Sequence, residues 1–315
     1  MIEALAGLRW HFLTNDKGYQ IRAATIMPHG KAKGCVLLLH GLSEFTEKYY
    51  EVITDLIKRD MMVVTFDWVG QGGSENIITN SQKRHTQGFD QDVADIDKIY
   101  HELLIPLLPK KDFPKYMIAH SMGGHLGLRY LAEGHADNFA AAAFSAPMLG
   151  IASVEAIAAP IRKRIFAFAE RMLDKSYVPG GTDWTGLERA MPGHSIFSSD
   201  KERDSWQNAW CKKNEKLKDG AATWGWLREA YKSCQYMAQE DILKRITTPV
   251  FIAYAGKEAL VSNNAITTAL KIIPRVKGAF LPLAKHEILM ESNNIRNQFW
   301  AGFDIMISNL ATHPH

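Results

Sequence analysis

The sequence predicts an α/β fold: a mostly parallel central sheet flanked by helices, with an inserted, mainly helical cap. Three observations carry the prediction. Short apolar runs alternate with helical spacing between Gly34 and Ser145, as successive βαβ units require. Strand character is missing from 148 to 246. It returns at Val250. The expected division is a core of residues 1–147 and 247–315, with a helical cap, or lid, of residues 148–246 between its halves.

In chain order, residues 19–27 read as a first strand, and 34–40 as a buried strand stopped by a glycine turn. A helical pattern follows over 49–59. Residues 61–66 form the next apolar run, ended by Asp67 and the loop Gly70-Gln-Gly-Gly-Ser74, too rich in glycine to extend either element. Phe89, Val93, Ile96, Ile99 and Leu103 recur at helical spacing, so a helix is expected over 86–104, ended by Pro106 and Pro109. Residues 116–120 are a short buried strand, 122–132 a helix and 139–145 a strand. The insertion concentrates Trp184, Trp206, Trp210, Trp224 and Trp226. Beyond it come strands at 250–254 and 278–281, a helix over 265–272 between them, and a closing helix over 294–308.

At 315 residues, with 46% hydrophobic and 23% charged residues, the chain is long enough and apolar enough to fold throughout. A charge of +3, from 37 basic against 34 acidic residues, is too small an excess for a nucleic-acid binder. The cluster Arg162-Lys163-Arg164 fits either a solvated helix face or contact with anionic lipid headgroups. Cys35, Cys211 and Cys234 show neither CxxC nor Cys/His metal spacing, so no metal or cofactor is expected and a reducing compartment fits. The amino terminus has Glu3 in place of a basic start and an apolar core, so no secretion signal is read. The most apolar stretch, 139–161, is broken by Ser145, Pro147, Gly150 and Glu155, which argues against a spanning helix. A cytoplasmic location is the expectation, with peripheral contact at the inner membrane surface left open.

The chemistry centres on Ala119-His-Ser-Met-Gly123, which lies where a strand gives way to a helix and matches the G-x-S-x-G nucleophile elbow except for Ala at its first position. Small residues are needed there because the backbone turns sharply among close neighbours. A serine hydroxyl is a weak nucleophile until a base takes its proton, so Ser121 needs a histidine from elsewhere in the fold. Behind such an elbow the acid and then the histidine follow on loops after late strands. His286 follows the apolar run 278–283 and fits. His120 and His125 flank the serine too closely to serve, and His313 and His315 lie in the tail. The loop after the 250–254 strand holds a single carboxylate, Glu258, whose task would be to orient His286; the alternative is a solvated loop glutamate. Glu240 and Asp241 precede that strand and are poorer candidates. Oxyanion donors are expected at the backbone amides of Met122, directly after the nucleophile, and Leu42, in the turn His40-Gly-Leu-Ser-Glu44.

These stretches, in order with Phe66-Asp-Trp-Val-Gly-Gln-Gly-Gly-Ser74, Gly256-Lys-Glu-Ala-Leu-Val261 and Ala284-Lys-His-Glu-Ile-Leu-Met-Glu291, resemble the monoacylglycerol lipase and lysophospholipase L2 branch of the α/β hydrolases, the serine aminopeptidase S33 or Hydrolase_4 group. The Asp-Trp-x-Gly-Gln-Gly-Gly-Ser form and Thr223-Trp-Gly-Trp-Leu227 look more like the bacterial lysophospholipases L2. Departures are Ala119 for the usual Gly, Val69 where Arg is common, and Glu258 where Asp is most frequent; the second removes any salt bridge of that Arg. The resemblance implies a small-molecule lipid or ester substrate with one long acyl chain, cleaved through an acyl-Ser121 intermediate that water hydrolyses with His286 as base. Residues 151–159 and 165–168 could line an acyl tunnel or simply pack the cap. Two other readings stay open: a small-ester or amide hydrolase of carboxylesterase or proline-type aminopeptidase kind, and a non-catalytic lipid-binding relative.

Overall fold

The computed structural model describes residues 3–187 and 195–312. His313 and His315 lie outside the described residues. Eight strands form one sheet in the order β1 (Arg9–Thr14), β2 (Gln20–Ile26), β4 (Met61–Phe66), β3 (Gly34–Leu39), β5 (Lys115–His120), β6 (Ala141–Ser145), β7 (Val250–Ala255), β8 (Val276–Leu281). Strand β2 runs against β1 and β4, and every other pairing is parallel. Every residue of β3 and β4 is buried, because helices cover both faces of a parallel sheet.

The longer helices of the core are α1 (Tyr50–Ile57), α2 (Phe89–Ile99) and α3 (Ser121–Tyr130). Between β6 and β7 come α4 (Ala159–Met172), α5 (Lys201–Lys213) and α6 (Trp224–Met237), and after β7 come α7 (Asn263–Ile272) and α8 (Asn293–Thr312). The described residues between β6 and β7 contribute no strand to the sheet. They contact the core through isolated bridges such as Arg84 to Ala222.

Several boundaries differ from the sequence expectation for local reasons. Strand β1 carries no strong apolar alternation because it is the sheet edge, with its side chains exposed or half-buried. Gly88, at φ +111°, stops α2 from starting before Phe89. At the other end a wide turn over Tyr100–Leu104 admits Pro106 into one further turn, and the chain becomes extended at Leu108, just before Pro109. Helix α3 begins at Ser121 itself, and β8 two residues earlier than Gly278. Among the described residues, no helix is long and apolar enough to cross a membrane.

The parallel strands all point one way, so the turn after β3, the β5–α3 junction and the loops after β7 and β8 share one edge of the sheet. Crevices at the carboxyl ends of such strands are where ligands bind in open α/β sheets.

Candidate active site

Ser121 sits at the junction of β5 and α3 with φ +51°, in the left-handed region that ordinary side chains avoid. The junction tolerates this only because its neighbours are small. A Cβ on Gly123 would lie 2.5 Å from the His40 carbonyl oxygen and 2.9 Å from Leu39 C, so the backbone there leaves room only for glycine. A Cβ on Gly124 would meet Pro147 at 3.0 Å. Ala119 is fully buried, and the sheet houses its one methyl group.

The loops after β7 and β8 bring the other two candidates to the serine. His286 Nε2 lies 2.8 Å from Ser121 Oγ, and His286 Nδ1 lies 2.9 Å from Glu258 Oε2. A carboxylate can only accept, so Nδ1 carries the proton and Nε2 is left to accept from the serine hydroxyl. Glu258 is held by its own loop: Oε1 accepts from the amides of Ala259, Leu260 and Val261 at 3.0, 2.8 and 3.3 Å. Burial alone would raise its carboxyl, but the hydrogen bond and charge of His286, with the Leu260 and Val261 amides, outweigh burial and hold it below its ordinary value. The side chain is only 2% exposed, which separates it from a solvated loop glutamate.

His120 and His125 do not reach Ser121 Oγ. His120 Nδ1 lies 3.0 Å from the Ser145 carbonyl, and His125 Nε2 lies 2.7 Å from Ser233 Oγ. Burial pushes them down to about 4 and about 3 respectively, which keeps both neutral.

In the turn after β3, Gly41 N donates to Glu44 Oε2 at 2.5 Å, and Gln71 Nε2 donates to the carbonyls of Gly41 and Glu44 at 2.8 and 3.0 Å. Ser43 is left-handed at φ +56° and donates its amide to Gln71 Oε1. This bracing places Leu42 on the wall of the cavity beside Ser121. Met122, the residue after Ser121, is buried under Trp226, whose Nε1 lies 3.4 Å from its sulfur.

Sequence reasoning missed what holds the glycine-rich loop. Asp67 is fully buried and accepts from Arg22 Nε at 2.8 Å, from Arg22 Nη2, from the Thr46 and Gly73 amides at 2.9 and 2.8 Å, and from Thr46 Oγ1. Burial would raise the Asp67 carboxyl, yet Arg22 and His40 hold it well below its usual range. Arg22, on β2, also forks onto both oxygens of Glu47 at 2.7 Å. The cation therefore comes from a neighbouring strand, while Val69 is a buried apolar residue. No local pattern could have announced a partner 45 residues away.

A cavity of about 480 Å³ opens at Ser121 and His286, with Leu42, Met148, Ile151, Trp184, Trp226 and Val261 on its apolar wall. Of the two segments expected to line an acyl tunnel, only Ile151 and Ser153 reach it; residues 165–168 do not line it, and Phe168 is 62% exposed because α4 turns that face outward. Trp206 and Trp210 are core residues, and the ring of Trp224 packs edge-on against Phe166. A second hollow of about 520 Å³, between His85, Asp174 and Arg228, is polar and contains none of the elbow residues. Among the described residues, no cluster of three or more His, Cys, Asp or Glu could hold a metal ion.

The family model described as Hydrolase_4: Serine aminopeptidase, S33, matches residues 30–293. This chain belongs to that family. As a Hydrolase_4 protein it is a lipase- or esterase-like hydrolase of the S33 group with the α/β-hydrolase fold. It is 27% identical over 273 residues to a Haemophilus influenzae protein named "Probable lysophospholipase L2", across 86% of this chain and 82% of that one. With the monoglyceride lipase of Rattus norvegicus it shares 28% identity over 123 residues, 38% of this chain and 37% of that one. A soluble variant of monoglyceride lipase from Saccharomyces cerevisiae, solved with a substrate analog, has the same fold at a TM-score of 0.75 and 16% identity, over 98% of both chains.

Proposed function

We propose that this Hydrolase_4 protein is a carboxylic ester hydrolase that cleaves lysophospholipid or monoacylglycerol through an acyl-Ser121 intermediate. The observation that carries the reading is the continuous hydrogen-bonded chain from Ser121 Oγ through the His286 ring to Glu258. Ser121 Oγ attacks the ester carbonyl as its proton passes to His286 Nε2, and Glu258 stabilises the imidazolium. The oxyanion is held by the amides of Leu42 and Met122, where one such donor is worth about 3 kcal/mol. Collapse of this intermediate returns the proton from Nε2 to the leaving alcohol oxygen. Water then enters, gives its proton to Nε2 and attacks the acyl carbon; collapse of this second intermediate breaks the bond to Ser121 Oγ, which takes the proton back from Nε2, and frees the fatty acid. The chemistry uses no metal or cofactor.

Three features support a lipid substrate. The cavity wall beside Ser121 is apolar, so each methylene buried there contributes about 0.8 kcal/mol to binding. Residues 148–246, which we read as the cap, supply Met148, Ile151, Trp184 and Trp226 to that wall. The sequence relatives bear lysophospholipase and monoglyceride lipase names. A panel of lysophosphatidylcholine, monoacylglycerol and p-nitrophenyl esters of rising chain length tests the reading. The expected result is a specificity constant that rises with acyl length on at least one of the two lipids. Efficient turnover of acetyl esters or proline amides, with none of long acyl esters, would overturn the lipid assignment.

A further inference from the structure

The turn that carries Leu42 and the loop that carries His286 are joined by one buried cation. Lys48 lies in the short turn Thr46–Tyr49 ahead of α1, and its side chain is 0% exposed. Its Nζ donates to Glu44 Oε1 at 2.5 Å, to Glu287 Oε1 at 2.7 Å and to Gln207 Oε1 at 3.0 Å. An ammonium has three donors, so each is committed.

The arms of this hub reach the turn after β3, the loop of His286 and α5. Glu44 Oε2 accepts the Gly41 amide at 2.5 Å and the Tyr49 hydroxyl at 2.7 Å, which fixes the oxyanion turn. Glu287 directly follows His286, and its amide donates to the Phe197 carbonyl at 2.8 Å. Gln207, on α5, returns its Nε2 to the Ser43 carbonyl at 2.8 Å, so the third arm also closes on the turn. Burial would raise the Glu44 carboxyl, but the charge of Lys48 outweighs burial and the opposing charge of Glu287 and holds it down at about 2. Among the described residues, the groups facing the cluster are Glu44 on the turn with the Tyr49 hydroxyl bonded to it, Glu287 and His286 on the base loop, neutral Gln207 on α5, and His120 at the end of β5, whose ring lies 4.8 Å from that of His286. An ion cluster this dry gains little net stability for its desolvation cost; what it fixes is relative position.

We propose that Lys48 is a positioning residue for ester hydrolysis, holding the oxyanion turn, the base loop and α5 in one register around Ser121. The inference rests on the reading of Ser121 and His286 as nucleophile and base. Lys48 takes no part in the proton transfers, and its effect passes through Glu44 and Glu287.

Lys48→Met keeps the length and removes the charge. Glu44 and Glu287 then lose the ammonium they share, and two carboxylates in one buried site stay together only by sharing a proton, with one apparent pKa strongly raised. As pH rises through that raised value both ionise, repel, and release the turn. The kcat of Lys48→Met on p-nitrophenyl butyrate, divided by that of wild type, is expected to fall at least about tenfold between about pH 6 and about pH 9, with KM changed less than about threefold. For Lys48→Arg, which keeps a cation, the ratio should stay flat. A Lys48→Met ratio independent of pH would overturn the proposal, because a merely structural loss has no reason to follow the carboxylate pair. If Lys48→Met does not melt cooperatively, Glu287→Leu carries the test, since it keeps the Lys48–Glu44 pair and removes the carboxylate through which Lys48 holds the loop of His286. A kcat lowered about tenfold at constant KM supports the hub, and an unchanged kcat overturns it. Fluorophosphonate labelling of wild-type Ser121 is run alongside. An unlabelled wild type means that the nucleophile reading has failed and takes this inference with it; a labelled wild type with a flat Lys48→Met ratio means that only Lys48 has.

Discussion

Replacing Glu258 by glutamine probes the His286 tautomer with almost no change of shape. Glu258 Oε1 accepts from three backbone amides, and those donors require an oxygen at that position. The glutamine must then turn its NH2 group toward His286 Nδ1, where Glu258 Oε2 now sits at 2.9 Å. Nδ1 becomes the acceptor, the ring proton moves to Nε2, and Nε2 can no longer take the Ser121 proton. A wrong tautomer of this kind costs about 10³–10⁴ in kcat, or about 4–5.5 kcal/mol at about 1.36 kcal/mol per decade. Stability should fall by only about 1.5–3 kcal/mol, the range for one hydrogen bond to a charged group. The assay is p-nitrophenyl ester hydrolysis at neutral pH, with a urea melt of each variant beside it. A Glu258→Gln enzyme that keeps more than about a tenth of wild-type kcat would refute the argument, since a reversed tautomer cannot sustain that rate.

Other outcomes follow from the same geometry. Ser121→Gly should abolish ester hydrolysis yet stabilise the fold by about 1 kcal/mol in a urea melt, because glycine adopts φ +51° without strain; an unchanged or lower midpoint would contradict strain at the elbow. Arg22→Met leaves the Asp67 and Glu47 carboxylates without their cation and should cost about 3–5 kcal/mol at neutral pH, a deficit that shrinks in acid as those carboxyls protonate. A pH-independent deficit would point to lost packing instead. The depressed Glu258 carboxyl contributes stability that is present above its unfolded value of about 4.3 and lost as pH falls through its lower folded value. The stability gap between wild type and Glu258→Ala should therefore be widest near neutral pH and close in acid; a gap that persisted in acid would sink this linkage.

The elements that were legible in the sequence are those whose signal is local. The elbow around Ser121 is a five-residue pattern at a strand-to-helix junction, and β3 to β7 are apolar runs bounded by turn residues. Glu258 and His286 were singled out by chain order, since each follows a late strand; in the structure His286 lies within hydrogen-bonding reach of Ser121 Oγ, and Glu258 of His286. What stayed hidden depends on topology. Arg22 reaches Asp67 because β2 pairs with β4, and Lys48 reaches Glu287 across 239 residues. Strand β1 was missed because an edge strand buries too little to impose alternation on its sequence. In the segment between β6 and β7, which tryptophan faces the cavity depends on how each helix is rotated, so Trp226 could not be told from Trp210 by composition.

The most direct test of the central claim is rapid mixing of the wild-type protein with a p-nitrophenyl ester of a long acyl chain, with the quenched protein mapped by peptide mass spectrometry. The expected result is a burst of p-nitrophenol close to one equivalent per chain and an acyl adduct on the peptide containing Ser121, both absent in Ser121→Ala. Turnover with no adduct at Ser121, or an adduct and burst that survive in Ser121→Ala, would contradict it.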